Sequence, residues 1–330
     1  MRWGWLAWVA LVACSSSPSS SGADETTQGT EALTSGAGSS SSGGATSTGA
    51  GSTSDTTQGS SSTGEAAMAC NGSAALCERR YDAVVFPGTH NSVAATQSGF
   101  VAFNANQTHP VAEQLADGIR VLLLDVTYDD GETALCHGPC SLGSRPHVEV
   151  LDELHTFLVE HPNDVVTIIY QDSVSAEDVE ADFDETGLLD FVYTHDAEAW
   201  PTLGEMITAN TRLVVTAENS GPPPAWYNHV WDLAWDTPFS FTSLESFSCE
   251  LNRGEQGHPL FLLNHWLSNE VGLPAADMAA QANAAEVLLA RVAECRRTMN
   301  RTPTFIAVDY YEQGDLFEVV QMLNEGGGGD

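Results

Sequence analysis

Between residues 83 and 309 the chain repeats one pattern, and that pattern limits its architecture more than any other feature. Short apolar runs, AVVF (83–86), IRVLLLDV (119–126), VVTIIY (165–170), RLVVTA (212–217), LFLLN (260–264) and TFIAVD (304–309), are separated by longer stretches that include helical segments. In VEVLDELHTFLVEH (148–161), Val148, Leu151, Leu154, Phe157 and Leu158 recur at helical spacing. Residues 275–298 are rich in helix formers, and DLFEVVQMLN (315–324) reads as a terminal helix. Unbroken apolar strands alternating with helices predict a parallel sheet covered on both faces. At this length the expected form is α/β, a TIM-type (β/α) barrel, with a doubly wound open sheet as the structural rival. The rival would be favoured by a glycine fingerprint after the first strand, where the sequence is instead PGTHNS.

Barrel chemistry sits at the carboxyl ends of the strands. Polar residues recur there: His90 and Asn91, Asp125, Gln171 and Asp172, Glu218 and Asn219, Asn264 and His265, and Asp309. Any loop turns polar as it leaves a sheet, so the repetition carries the signal.

The first residues carry an expectation about location. MRWGWLAWVALVAC (1–14) has one arginine and an apolar run too short to span a bilayer of about 30 Å, which predicts an export signal. Leu11-Val12-Ala13-Cys14 resembles the lipobox of bacterial lipoproteins, in which the cysteine is lipidated after cleavage, so the expected location is the bacterial cell envelope, lipid-anchored. Residues 15–67 are Ser, Thr, Gly and Ala with a few acids, predicting a disordered tether with a span of roughly 40 Å. Residues 68–330 then form one catalytic-type body. A net charge of -34, with every one of the 11 basic residues an arginine, argues against nucleic acid and against broad adsorption to anionic lipid.

Six cysteines remain in the body. An even number in an exported chain favours disulfides, and although six allow fifteen connectivities, sequence proximity points to Cys70–Cys77, Cys136–Cys140 and Cys249–Cys295. His137 then lies within a very small covalent ring, CHGPC. Zinc held by Cys136, His137 and Cys140 is a weaker reading for want of a fourth ligand. Two histidines at one barrel mouth, His90 and His137, suit general acid/base transfer near neutral pH. For a phosphodiester with a neighbouring hydroxyl, one imidazole deprotonates that hydroxyl, the other protonates the leaving alcohol, and a cyclic phosphate forms. The developing charge needs a positive partner, and Asn91 with Asp125 offers the oxygen ligands that a divalent cation such as Ca2+ prefers.

GTHNS, then NQTHPVAEQLADGIRVLLLDV, LCHGPC and FLVEHPNDVVTIIY, in that order, resemble the catalytic X region of phosphatidylinositol-specific phospholipases C, and FLLNHW with PTFIAVDYYEQGDLFEVVQMLN extends the likeness over the whole body. The resemblance implies a TIM-type barrel with His90 as general base on the inositol 2-hydroxyl and His137 as general acid on the diacylglycerol oxygen. Its calcium-dependent members carry two acids on the second strand, where this chain has Leu123 and Asp125. Its metal-free members carry an arginine at the second of these positions. The expected cation site is therefore Asn91, Asp125 and Asp172, with Glu218 as a possible helper. Asp309 is expected to orient His90 through its second N–H, and the expected partner is a phospholipid or glycolipid at a membrane surface. Another barrel phosphodiesterase chemistry, or a non-catalytic barrel that binds an envelope lipid or glycan, are the alternatives. Arg120 reads as a structural ion pair, and Trp226, Tyr227, Trp231 and Trp235 read as core rather than as a lipid-facing rim.

Overall fold

The computed structural model describes residues 68–196 and 199–326; the expected signal, Cys14 and the tether lie outside them. Eight parallel strands form one sheet that curls into a TIM-type barrel: β1 (Phe86–Thr89), β2 (Val121–Asp129), β5 (Val166–Asp172), β6 (Leu213–Ala217), β7 (Tyr227–His229), β8 (Ala234–Asp236), β9 (Leu260–His265) and β10 (Phe305–Val308). They run in the order β7-β6-β5-β2-β1-β10-β9-β8, so the first and last strands pair while β7 and β8 are left as the two open ends. The remaining strands, β3 (Glu132–Cys136) and β4 (Ser144–Pro146), form an antiparallel ribbon on β2. The ribbon turns through Asp130 and Gly131, both at positive φ, as a two-residue hairpin requires.

Helices α1 (Val111–Asp117), α2 (His147–Glu160), α3 (Ala176–Glu185), α4 (Leu203–Thr208), α5 (Ala279–Ala282), α6 (Ala285–Met299) and α7 (Leu316–Gly326) connect the strands. The expected helix over 275–298 is broken at Asn283 and Ala284, because the Asn283 side chain donates to the carbonyls of Asp309 and Tyr310. The expected strand AVVF is also displaced. Residues 81–83 form a tight turn, and the strand is FPGT, whose Gly88 packs so closely on β2 that a Cβ there would sit 3.0 Å from that of Val121.

Strand alternation divides the core into two layers. Phe86, Val121, Ile169, Val214, Leu262, Phe305 and Ala307 fill the barrel, while Leu122, Leu124, Ile168, Val215, Leu263 and Ile306 face the helices. Each fully buried side chain of this kind contributes about 1.5–3 kcal/mol. The three expected disulfides are all present. Trp226, Tyr227 and Trp235 are buried in the core, as expected, and Arg120 pairs with Asp164 at 3.2 Å and caps the carbonyls of Leu115 and Ile119.

Candidate active site

The same alternation decides which polar residues reach the barrel interior. Counting two by two from the inner-layer residues brings His90, Asp125, Gln171, Glu218, Asp236, Asn264 and Asp309 to the inner side of their strand ends. Most of them, with Asn91, Leu123, Phe239, Arg253 and Trp266, line a cavity of about 130 Å³. Asp172 and His265 fall on the outer parity. The carboxylate of Asp172 accepts the Asn219 backbone N–H at 2.8 Å, and His265 is fully buried against Ala282 and Arg291. Asp172 is therefore apart from Asn91 and Asp125, because consecutive strand residues cannot share a face.

Pairing of the first and last strands produces the dyad at the centre of the site. Thr89 lies opposite Val308, so the next residues, His90 and Asp309, leave the sheet side by side. Nδ1–H of His90 donates to Asp309 Oδ1 at 2.8 Å, and the second carboxylate oxygen accepts from Asn106 Nδ2 at 3.0 Å. Asn106 Oδ1 in turn accepts from Asn91 Nδ2 at 3.1 Å. The His90 ring stacks on Trp266, with centroids 3.7 Å apart and planes at 6°. With Nδ1 committed to Asp309, Nε2 is the nitrogen left for a ligand.

His137 stands on the ribbon, immediately after β3 and inside the Cys136–Cys140 ring. Its Nδ1–H donates to the Asn104 carbonyl at 2.8 Å, and its own carbonyl accepts from Asn104 Nδ2 at 2.7 Å. Burial pushes its pKa down; the hydrogen bond to Asn104 opposes this, and the charges of His90 and Asp309 act on it in opposite senses. The disulfide consumes both sulfurs near His137, which removes the zinc reading.

Asp125 has neither a hydrogen bond nor an ion pair among the described residues. Burial pushes its pKa up to about 7, with His90 opposing and the neighbouring Glu218 adding to the rise. Glu218 is also raised, by burial first, and is opposed by Arg253. Arg253 did not figure in the sequence reading. It lies between β8 and β9, donates to Glu218 at 2.8 Å and to the fully buried Asp236 at 2.6 Å, and lies over the rings of Trp231 and Phe239. Its seat depends on Gly254, at φ +78°, where a Cβ would overlap the Ala234 carbonyl oxygen.

The model of the PI-PLC X family, described as PI-PLC X 1, matches residues 76–324. The chain belongs to the PI-PLC X family. A PI-PLC X domain-containing protein 1 from Arthroderma benhamiae is 31% identical over 279 residues, covering 78% of this chain and 90% of that one. A second protein from the same organism, called an uncharacterized secreted protein, is 30% identical over 77% of this chain, which spans 64% of that relative's length. Two mutants of the phosphatidylinositol-specific phospholipase C from Staphylococcus aureus share the fold at TM-scores of 0.52 and 0.51. Each is 14% identical, and the matches cover 75% of this chain and 93% and 94% of theirs. The PI-PLC X assignment and the TIM-type barrel thus agree, and the histidine, asparagine and acid named above all lie within the matched residues.

Proposed function

We propose that this PI-PLC X protein cleaves the phosphodiester of a phosphoinositide-type lipid by two-histidine acid/base catalysis through a cyclic phosphate. The observation that carries this reading is that both imidazoles commit Nδ1 to a fixed acceptor, Asp309 for His90 and the Asn104 carbonyl for His137, and so keep Nε2 for chemistry. His90 Nε2 takes the proton of the hydroxyl next to the phosphodiester. That oxygen attacks phosphorus, the bond to the diacylglycerol oxygen breaks, and His137 Nε2–H supplies the proton the leaving oxygen needs. Because burial disfavours the His137 imidazolium, the negative charge of the bound phosphodiester is what draws a proton onto it. Asp309 stabilises the charged His90 as it forms.

The cavity residues fit a divalent cation, for which Ca2+ is the expected identity. Asn91, Asp125 and Glu218 supply hard oxygen donors, and burial, with Glu218 nearby, pushes the pKa of the Asp125 carboxyl up. Glu218 replaces Asp172 in the proposed set. A cation bound there would offset the charge of the phosphoryl oxygens and favour ionisation of the attacking hydroxyl. Arg253 adds a fixed positive charge to the same wall, balanced by Glu218 and Asp236. We further propose export and envelope anchoring through Cys14, which the secreted relative supports in its first part.

The deciding experiment incubates the full chain with phosphatidylinositol micelles and follows phosphorus NMR, first with Ca2+ and then with excess chelator. A cyclic inositol phosphate that forms only with Ca2+ supports the whole reading. A product that persists in chelator removes the cation and leaves Arg253 to balance the charge. No product in either condition refutes phosphatidylinositol as the substrate.

A further inference from the structure

The connection between β1 and α1 contains a short polar segment, Asn104-Ala105-Asn106-Gln107, that is only 5, 0, 2 and 0% exposed. Connections usually run over the surface, because buried backbone and amide groups must each find a partner. Here the partners converge on the acid/base machinery. Asn104 makes the reciprocal pair with His137. Asn106 Nδ2 donates to Asp309 Oδ2 and lies 3.3 Å from His90 Nδ1, while Asn106 Oδ1 accepts from Asn91. Gln107 Nε2 donates to the carbonyls of His90 at 2.8 Å and Val308 at 3.0 Å, stapling the first strand to the last where the dyad leaves them. The segment is itself tied down, since Tyr310 N–H donates to the Asn106 carbonyl and Tyr310 O–H to that of Ala105. Tyr310 adopts φ 47° to do so, an uncommon conformation for a bulky residue.

We propose that Asn104–Gln107 is a positioning element that sets the tautomers and the mutual placement of the two imidazoles, Asn104 acting through His137 and Asn106 acting through Asp309 on His90. The proposal rests on the reading of His90 and His137 as a working pair. Four consecutive residues span from one histidine to the other, so their separation is fixed by three peptide links rather than by the long route around the barrel. The amide of Asn106 has a single chemically sound orientation: turned over, its oxygen would face the Asp309 carboxylate and its nitrogen would face the Asn91 donor. Asp309 then has both oxygens filled, which leaves it one direction in which to hold His90 Nδ1–H. A base and an acid that act on one phosphorus centre need placement within about 0.5 Å, and a locked polar segment provides this where mobile side chains do not.

The test uses the full chain with 15N-labelled histidine and long-range 1H–15N spectra at one fixed pH, the signals being assigned with His90→Ala and His137→Ala. In the unsubstituted chain both imidazoles are expected as the Nδ1–H tautomer. Asn106→Ala should shift His90 toward averaged tautomers and leave His137 unchanged. Asn104→Ala keeps the backbone carbonyl that accepts His137 Nδ1–H and removes the Nδ2–H bond that holds that carbonyl against the ring, so His137 should shift toward averaged tautomers by a smaller amount and His90 should not move. Asn106→Ser and Asn104→Ser, which keep a small polar group without adding a charge, serve where an alanine variant does not fold. The second readout is turnover of phosphatidylinositol: each substitution should lower kcat by about tenfold or more with KM within about twofold, the signature of placement rather than binding. Asn104→Ala should cost less than about twofold when His137 is already alanine, because its effect passes through that ring. Unchanged tautomer signals in the asparagine variants overturn the proposal whatever the turnover. If the unsubstituted chain turns over no phosphatidylinositol, the functional reading fails while the tautomer spectra still decide the role of this segment.

Discussion

Replacing Asp125 by Asn tests whether the cavity holds an acid that the fold keeps uncomfortable. Burial raises this carboxyl from 3.8 to about 7. Between those values the folded protein holds a proton that the unfolded chain has released, so this residue makes stability fall as pH rises from about 4 to 7 and adds no further slope above that. A difference of about 3 pH units at 1.36 kcal/mol each sets an upper bound of roughly 4 kcal/mol at pH 8, and relaxation and water entry in a half-open cavity reduce the working figure to about 2 kcal/mol. Asp125→Asn removes the charge and keeps the shape. In chelator at pH 8 it should unfold about 2 kcal/mol later than the unsubstituted chain, or roughly 4–8 °C higher in Tm, and at pH 4 the two should nearly coincide. Ca2+ at about 100 times Kd should return roughly 2.7 kcal/mol to the unsubstituted chain and little to the variant. Urea unfolding of both proteins at pH 4, 6 and 8, with Ca2+ and with chelator, measures every one of these quantities. A stability difference that stays constant over that pH range would refute the argument that Asp125 is a desolvated acid without a partner.

Other substitutions address separate parts of the site. His90→Ala and His137→Ala should each lower phosphatidylinositol turnover at least 10²-fold while thermal unfolding moves little, and retained turnover in either would remove that histidine from the chemistry. Opening the Cys136–Cys140 ring with paired serines frees the backbone around His137; kcat should fall by about tenfold with KM nearly unchanged, and full activity would mean that Asn104 alone holds the ring. Arg253→Ala leaves the fully buried Asp236 without its cation and should cost about 3–5 kcal/mol in urea unfolding, a loss that Asp236→Asn in the same chain should partly restore.

The parts of this architecture that were legible in the sequence are those in which one strand carries its own signal. Five of the apolar runs coincide closely with β2, β5, β6, β9 and β10, because a strand buried on both faces must be apolar throughout. β7 and β8 have three residues each and no run, and only their neighbours hold them in place. β1 contains Pro87 and Gly88, poor strand formers that the close approach of β2 and β10 selects. His90, His137 and Asp309 could be read because strand ends and a small cysteine ring mark them. Asp172, expected beside Asn91 and Asp125, lies on the outer parity, because alternation forbids it from sharing a face with Gln171. Arg253 had no such marker: it lies in LNRGEQG, an irregular stretch whose meaning depends on Asp236 and Glu218, 17 and 35 residues away. Asn104 lies in none of the quoted motifs, and Asn106 opens NQTHPVAEQ without a marked role until the fold buries it.

The union of the first strand with the last also governs when this protein can become active. His90 and Asp309 are 219 residues apart, and the dyad requires β10 to be seated against β1. A chain still emerging from the ribosome carries His90 early and lacks its carboxylate until nearly the whole body has followed. Any such chain lacks the His90–Asp309 contact, and clipping that removes β10 would return it to that state. Assembly of the dyad is thereby tied to completion of the barrel rather than to any local stretch of chain.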